Sequence, residues 1–147
     1  MKIEKDFEEL LELLNKHKVK YCIVGAYAVA FYGRPRYTKD IDIYIQPDSE
    51  NSKKIVTALK AFGFKNIEKL SDDLAEENTV IQLGYEPVRI DFLTSLTGCK
   101  FSEVWANRKI GHYGKQKAYF IGLKELIKNK KKSNRNQDKA DLEALKR

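Results

Sequence analysis

The chain has 147 residues, 42% hydrophobic and 33% charged, and its 28 Lys and Arg outnumber 21 Asp and Glu for a net charge of +7. That length supports one domain with roughly two-thirds of its surface buried on folding. No apolar run approaches the ~20 residues of a membrane helix, the N-terminus lacks the apolar segment of a signal peptide, and Cys22 and Cys99 form no Cys-x-x-Cys pair, so a reduced, cytoplasmic protein without membrane contact is expected.

Phe7, Leu10, Leu11 and Leu14 recur at helical spacing and predict an amphipathic helix over about 4–17. An apolar strand over about 20–24 turns at Gly25 into an Ala-rich helix over about 26–32, which Gly33 and Pro35 end. A second strand spans about 40–46 and stops at Pro47. Asp48 or Ser49 caps a third helix over about 50–62, with Ile55, Val56, Leu59 and Phe62 inward and Gly63 closing it. A weak strand is expected near 64–68, then an acidic polar stretch from Ser71 to Asn78. Val80 to Leu83 and Val88 to Leu93 read as a hairpin turned by Gly84-Tyr85-Glu86-Pro87. A short helix over 101–107, two short strands near 109–113 and 117–121, and helices over 123–131 and 135–146 complete the order. The fold class this predicts is α/β (α+β), a mixed sheet flanked by helices with a helical C-terminal tail.

The second strand carries the chemistry. From Ile41 to Ile45 isoleucines alternate with polar positions, so Asp40 and Asp42 project together from the face opposite Ile41, Ile43 and Ile45. Two adjacent carboxylates repel, and burial raises the penalty. A bound cation relieves it, and hard oxygen ligands favour Mg²⁺. Asp91 adds a third carboxylate from the apolar run Val88 to Leu93. A site for two divalent ions needs about three carboxylates, with substrate phosphates completing the shell. Gly25, at a strand-to-helix turn, lets backbone N–H groups approach a phosphate. Taken singly, each feature has a plainer reading: Asp40 and Asp42 as solvated edge positions, Arg36 as a surface ion-pair partner of Asp40 or Asp91, Thr38 as a β-former. His17 and His112 have no ligand neighbours and read as surface or local hydrogen-bonding residues. Tyr21, Tyr27, Tyr32, Tyr37 and Tyr44 read as core aromatics.

Gly25-Ala26, then Arg36-Tyr37-Thr38-Lys39-Asp40-Ile41-Asp42, then Asp91 resembles the pattern of the nucleotidyltransferase superfamily with the polymerase-β-type catalytic fold. The resemblance covers nearly the whole chain and is closest to small bacterial members related to abortive-infection toxin nucleotidyltransferases. The tail, Gly122 to Ile127 followed by Arg135, Asp138, Asp141 and Leu142, is similar to those members. Ala26 departs from the usual second Gly or Ser, keeping the backbone N–H and losing a hydroxyl. The resemblance implies transfer of a nucleoside monophosphate from an NTP, such as ATP, to an acceptor hydroxyl with release of pyrophosphate. Asp40, Asp42 and Asp91 would be the catalytic metal ligands for two Mg²⁺ ions, with Mn²⁺ an alternative. Gly25, Ala26, Arg36 and Thr38 would bind the nucleotide. RNA, a protein or a small molecule would be the acceptor.

Charge divides the chain unevenly. Residues 1–99 hold 14 basic and 16 acidic groups, a net of −2, and residues 100–147 hold 14 basic and 5 acidic, a net of +9. The expectation is a single domain over 1–147: a metal-bearing catalytic core over 1–99 and a basic extension over 100–147 packed on it. The surplus suits a triphosphate, an RNA backbone or an acidic partner, and the run Lys128, Lys130, Lys131, Lys132 reads equally as a solvated face. Two other classes fit the residues: a non-catalytic nucleotide- or RNA-binding module, and one half of a toxin–antitoxin pair acting through a partner protein.

Overall fold

The computed structural model describes residues 3–33, 40–85 and 88–146. The elements run α1 (Lys5–Lys16), β1 (Tyr21–Val24), α2 (Gly25–Tyr32), β2 (Asp40–Ile45), α3 (Ser49–Phe62), α4 (Leu70–Asp73), β3 (Val80–Tyr85), β4 (Val88–Leu93), α5 (Phe101–Ala106), β5 (Lys109–Tyr113), β6 (Gln116–Phe120), α6 (Leu123–Ser133) and α7 (Asn136–Leu145). The six strands form one sheet in the order β3-β4-β2-β1-β6-β5. It is mixed: β2 pairs in parallel with β4 and antiparallel with β1, while β1 pairs in parallel with β6. The expected mixed sheet with flanking helices is what the chain forms.

Alternation along β2 separates two apolar layers. Ile41, Ile43 and Ile45 are fully buried and join Phe7, Leu10, Leu11 and Leu14 of α1 and Ile55 and Leu59 of α3. Such complete burial stabilises by about 1.5–3 kcal/mol per large aliphatic side chain. On the other face Cys22, Val24 and Tyr44 pack with Phe101 and Val104 of α5, Leu126 of α6 and Leu145 of α7. The Tyr44 hydroxyl donates to the Cys99 carbonyl at 3.0 Å, which gives its buried polar end a partner. Tyr21, Tyr27 and Tyr44 are core residues as expected, and half-buried Tyr32 donates to the Ile121 carbonyl at 2.6 Å; Tyr37 lies outside the described residues.

Two local readings change. No strand forms at 64–68; the chain turns there and enters the short α4. Asn66 takes a positive φ of 59°, a turn conformation that interrupts any strand. Gly84 and Tyr85 extend β3 rather than forming the hairpin turn, pairing with Arg89 and Val88. The charge boundary at residue 99 does not divide the sheet, because β6 lies directly beside β1. As expected, Asp48 caps α3, its carboxylate accepting from the Asn51 N–H at 2.7 Å. Among the described residues no helix is long and apolar enough to cross a membrane.

Candidate active site

The sheet register brings the carboxylates together. Asp42 of β2 pairs with Asp91 of β4, and Asp40 pairs with Arg89. Paired strands lie about 4.8 Å apart, so Asp40, Asp42, Arg89 and Asp91 share one patch of one face. Val24, the last residue of β1, pairs with Asp42 on the other side. Gly25 follows in the left-handed region, φ +67°. A Cβ there would overlap Asp42 Oδ2 and crowd its Cβ at 3.1 Å. Only glycine suits both the conformation and the space, so the strand-to-helix turn is shaped around the Asp42 carboxylate.

Asp42 is destabilised as an anion. Burial, then Asp91, then Asp40 push its pKa up to about 6 from 3.8, with Lys130 and Arg89 pulling partly the other way. Asp91 is 8% exposed, and Arg89 grips it with both arms: Nε to Oδ1 and Nη2 to Oδ2, each at 3.1 Å. The same guanidinium reaches Asp40 Oδ2 at 3.7 Å. Arg89 was not singled out in the sequence, although its position two residues before Asp91 already places it on the same strand face.

A cleft of about 530 Å³ opens beside this patch at Asp42, lined by Gly25 and Asp42, by Ser95 to Thr97, and by Asn129, Lys130, Lys132 and Arg135 of the α6–α7 elbow. Asn134, φ +51°, ends α6, and the Asp138 carboxylate accepts from the Arg135 N–H at 3.0 Å, fixing the start of α7. The elbow is held by a buried charge network. Lys130, 4% exposed, donates to Asp138 at 3.3 Å and lies 3.1 Å from Asp141. Arg135 Nε adds a bond to Asp138 at 2.9 Å. Burial works against ionisation of Asp138, yet its bonds from Arg135 and Lys130 outweigh it and hold the pKa at about 2.

The lysine run is therefore not one feature. Lys130 is a buried ion-pair centre, Lys132 lines the cleft, Lys128 pairs with Glu103 at 3.3 Å, and Lys131 is exposed. The sequence carries half of this signal: Asp138, Asp141 and Leu145 share one stripe of α7, and acids on an inward face require a cation, but nothing local singles out Lys130. Ala26 is half-buried, next to Gly25; Arg36 and Thr38 lie outside the described residues.

The donor set suits a divalent cation. It offers hard carboxylate oxygens, and a missing Cβ leaves room at Asp42 Oδ2. Among the described residues, however, no three His, Cys, Asp or Glu side chains are gathered closely enough to hold an ion. The geometry accounts for this, since Arg89 already draws Asp91 and Asp40 onto itself.

A strand-glycine-helix turn against paired aspartates, set in a mixed sheet facing a basic wall, defines the nucleotidyltransferase class. A family model described as aminoglycoside-2''-adenylyltransferase matches residues 6–89, more than half of the chain, and the chain belongs to that family. In fold it is similar to the lincosamide antibiotic adenylyltransferase LnuA in its lincomycin-bound crystal structure, with a TM-score of 0.62 over 97% of this chain and 96% of that chain at 20% identity. No curated protein sequence matches it. The chain is thus an enzyme of the nucleotidyltransferase superfamily, as the residues implied. The narrower kinship with abortive-infection toxins draws no support from these matches.

Proposed function

We propose that this enzyme transfers AMP from ATP to a hydroxyl of a small-molecule acceptor and releases pyrophosphate. One observation carries the reading: Asp42 and Gly25 line a cleft together with Lys130, Lys132 and Arg135, and Asp91 stands in register with Asp42 on the next strand. A volume of about 530 Å³ is within the range of small-ligand sites.

The residues divide the work. Backbone N–H groups at Gly25 and Ala26, the N-terminus of α2, face the triphosphate. Lys132 and Arg135 add exposed positive charge where pyrophosphate departs, which stabilises charge developing on the leaving group. Asp40, Asp42 and Asp91 are the candidate ligands for Mg²⁺ or Mn²⁺, which when bound neutralises phosphate charge and sharpens the acceptor oxygen as a nucleophile. Asp91 lies nearest the open β3 edge, where an acceptor hydroxyl can approach from the side away from the leaving group, and it takes the hydroxyl proton. Arg36 and Thr38 are proposed as nucleotide contacts from the sequence pattern alone.

Because the family is described by aminoglycosides and the similar fold carries a lincosamide, the first acceptors to try are members of both classes, with bulk RNA and protein alongside. Incubation with α-labelled ATP and each acceptor, with and without Mg²⁺, tests the proposal. Metal-dependent appearance of label on a small hydroxylated acceptor, matched by pyrophosphate, is the expected outcome. Label only on RNA or protein would reassign the acceptor. No label on any acceptor, with ATP still bound, would favour the non-catalytic nucleotide-binding module.

A further inference from the structure

Asp40, Asp42 and Asp91 lie on one face of the sheet, and Arg89, on the same strand as Asp91, pairs with two of them. Arg89 gives two hydrogen bonds of 3.1 Å to Asp91, one to each oxygen, and lies 3.7 Å from Asp40. This two-armed geometry is the strongest way an arginine holds a carboxylate. It also occupies the atoms a divalent ion requires, since an ion at ~2.1 Å from a carboxylate oxygen leaves no space for a guanidinium on the same lone pairs. The Arg89 side chain is 31% exposed, so it has solvent to move into.

We propose that Arg89 is a built-in substitute for the divalent ion: it clamps Asp91 and Asp40 while no ion is bound, and the ion must displace it to reach them. The proposal rests on the reading of Asp40, Asp42 and Asp91 as cation ligands. Its consequence is an enzyme whose resting site is partly neutralised at Asp91 and Asp40 and takes up free cation weakly. The guanidinium released on exchange is a fork suited to phosphate oxygens, so ion and nucleotide enter more favourably together than separately.

The test uses Mn²⁺ alone, with no nucleotide or acceptor, and full-length wild-type, R89Q, R89K and R89Q/D91N proteins. Binding is read by calorimetry and by the loss of the free Mn²⁺ electron paramagnetic resonance signal. R89Q removes both charge and fork. R89K keeps the charge and loses the two-armed grip, which separates direct occupation of Asp91 from general repulsion. The expected result is that R89Q binds Mn²⁺ roughly tenfold more tightly than wild type, the size of effect a charged hydrogen-bonded pair supports. R89K gains part of that, and the double variant R89Q/D91N loses it. Should R89Q fail to fold in chelator, R89K carries the comparison, with melting followed by circular dichroism.

Wild type and both Arg89 variants binding Mn²⁺ equally would overturn the proposal and leave the carboxylates as ligands. A gain in R89Q with none in R89K would also overturn it, reducing Arg89 to a distant charge. No binding by any of the proteins would overturn the proposal and the metal-ligand reading together. Failure of labelled transfer with the Arg89 gain intact would overturn only the proposed reaction.

Discussion

Asp42 is the residue at which stability and chemistry oppose one another. Its carboxylate is buried beside Asp91 and Asp40, and its pKa rises to about 6 from 3.8. The folded state therefore holds this proton more tightly than the unfolded chain, so the ion-free protein loses stability as pH climbs from about 4 to about 6. Asp42→Asn keeps the shape and removes the charge. In metal-free buffer at pH 7 the variant should melt at the same temperature as wild type or higher, while metal-dependent transfer falls by orders of magnitude, about 10²-fold or more. Paired melting curves and label-transfer rates check both halves. Gly25 presents the complementary case. A Cβ there meets Asp42 and sits at a positive φ, so Gly25→Ala should destabilise by about 1–3 kcal/mol. It should also displace the carboxylate, lowering transfer beyond what the melting shift explains. Urea titration alongside kinetics at a temperature where the variant is folded measures the two effects separately.

At the scale of elements, the α6–α7 elbow is held by charges that a solvent-exposed helix would not need. Asp138 is fully buried, and its pKa lies near 2 against an ordinary 3.8. A depressed carboxylate contributes stability above its unfolded value and loses it as pH falls through the folded one, here between about 4 and 2. Asp138→Asn should cost about 2–3 kcal/mol at neutral pH, with the gap to wild type closing toward pH 2. Denaturation at a series of pH values reads this directly. Lys132 lies on the cleft wall of the same elbow. Lys132→Gln should lower kcat and kcat/KM for ATP together, by about three- to tenfold, because the charge it answers develops on the leaving group. Steady-state kinetics at varied ATP decides it. The strands and helices that the sequence makes legible are those with strong periodicity: the isoleucine alternation of β2 and the leucine stripe of α1. The elbow's charge network was not legible as a unit. Lys130 shares a run with three other lysines, and only the three-dimensional meeting of α6 and α7 sets it between Asp138 and Asp141. The segment 64–68 misled for a similar reason, since a positive-φ Asn leaves no mark on hydropathy.

For the whole molecule, the +9 surplus beyond residue 99 belongs to several elements rather than one. It is spread over β5, β6, α6 and α7, and part of it is spent inside the protein, as with Lys130 between two carboxylates. A long RNA-binding groove needs an unbroken track of exposed charge. The structure instead presents a bounded cleft with a few cations on one wall. Binding of single-stranded RNA, if strong, would weaken with log salt at a slope near ~0.7 per neutralised phosphate. The expected slope for nucleotide in the cleft is shallow and set by the divalent ion. The carboxylate triad was legible as residues but not as geometry. Its register across β2 and β4, and the arginine that binds it, follow from a parallel pairing that no local pattern announces.

The pairing of β1 with β6 has a consequence for how the polypeptide reaches its native state. Ile23 sits opposite Phe120, nearly a hundred residues later. Until β6 exists, Tyr21–Val24 is an open strand edge of four apolar residues, a template for intermolecular pairing. During synthesis at ~5–20 residues per second, that edge stays uncovered for several seconds after it leaves the ribosome. Long-range closure of this kind slows folding. Strand β1, next to the candidate site residues, is thus among the last to be sealed.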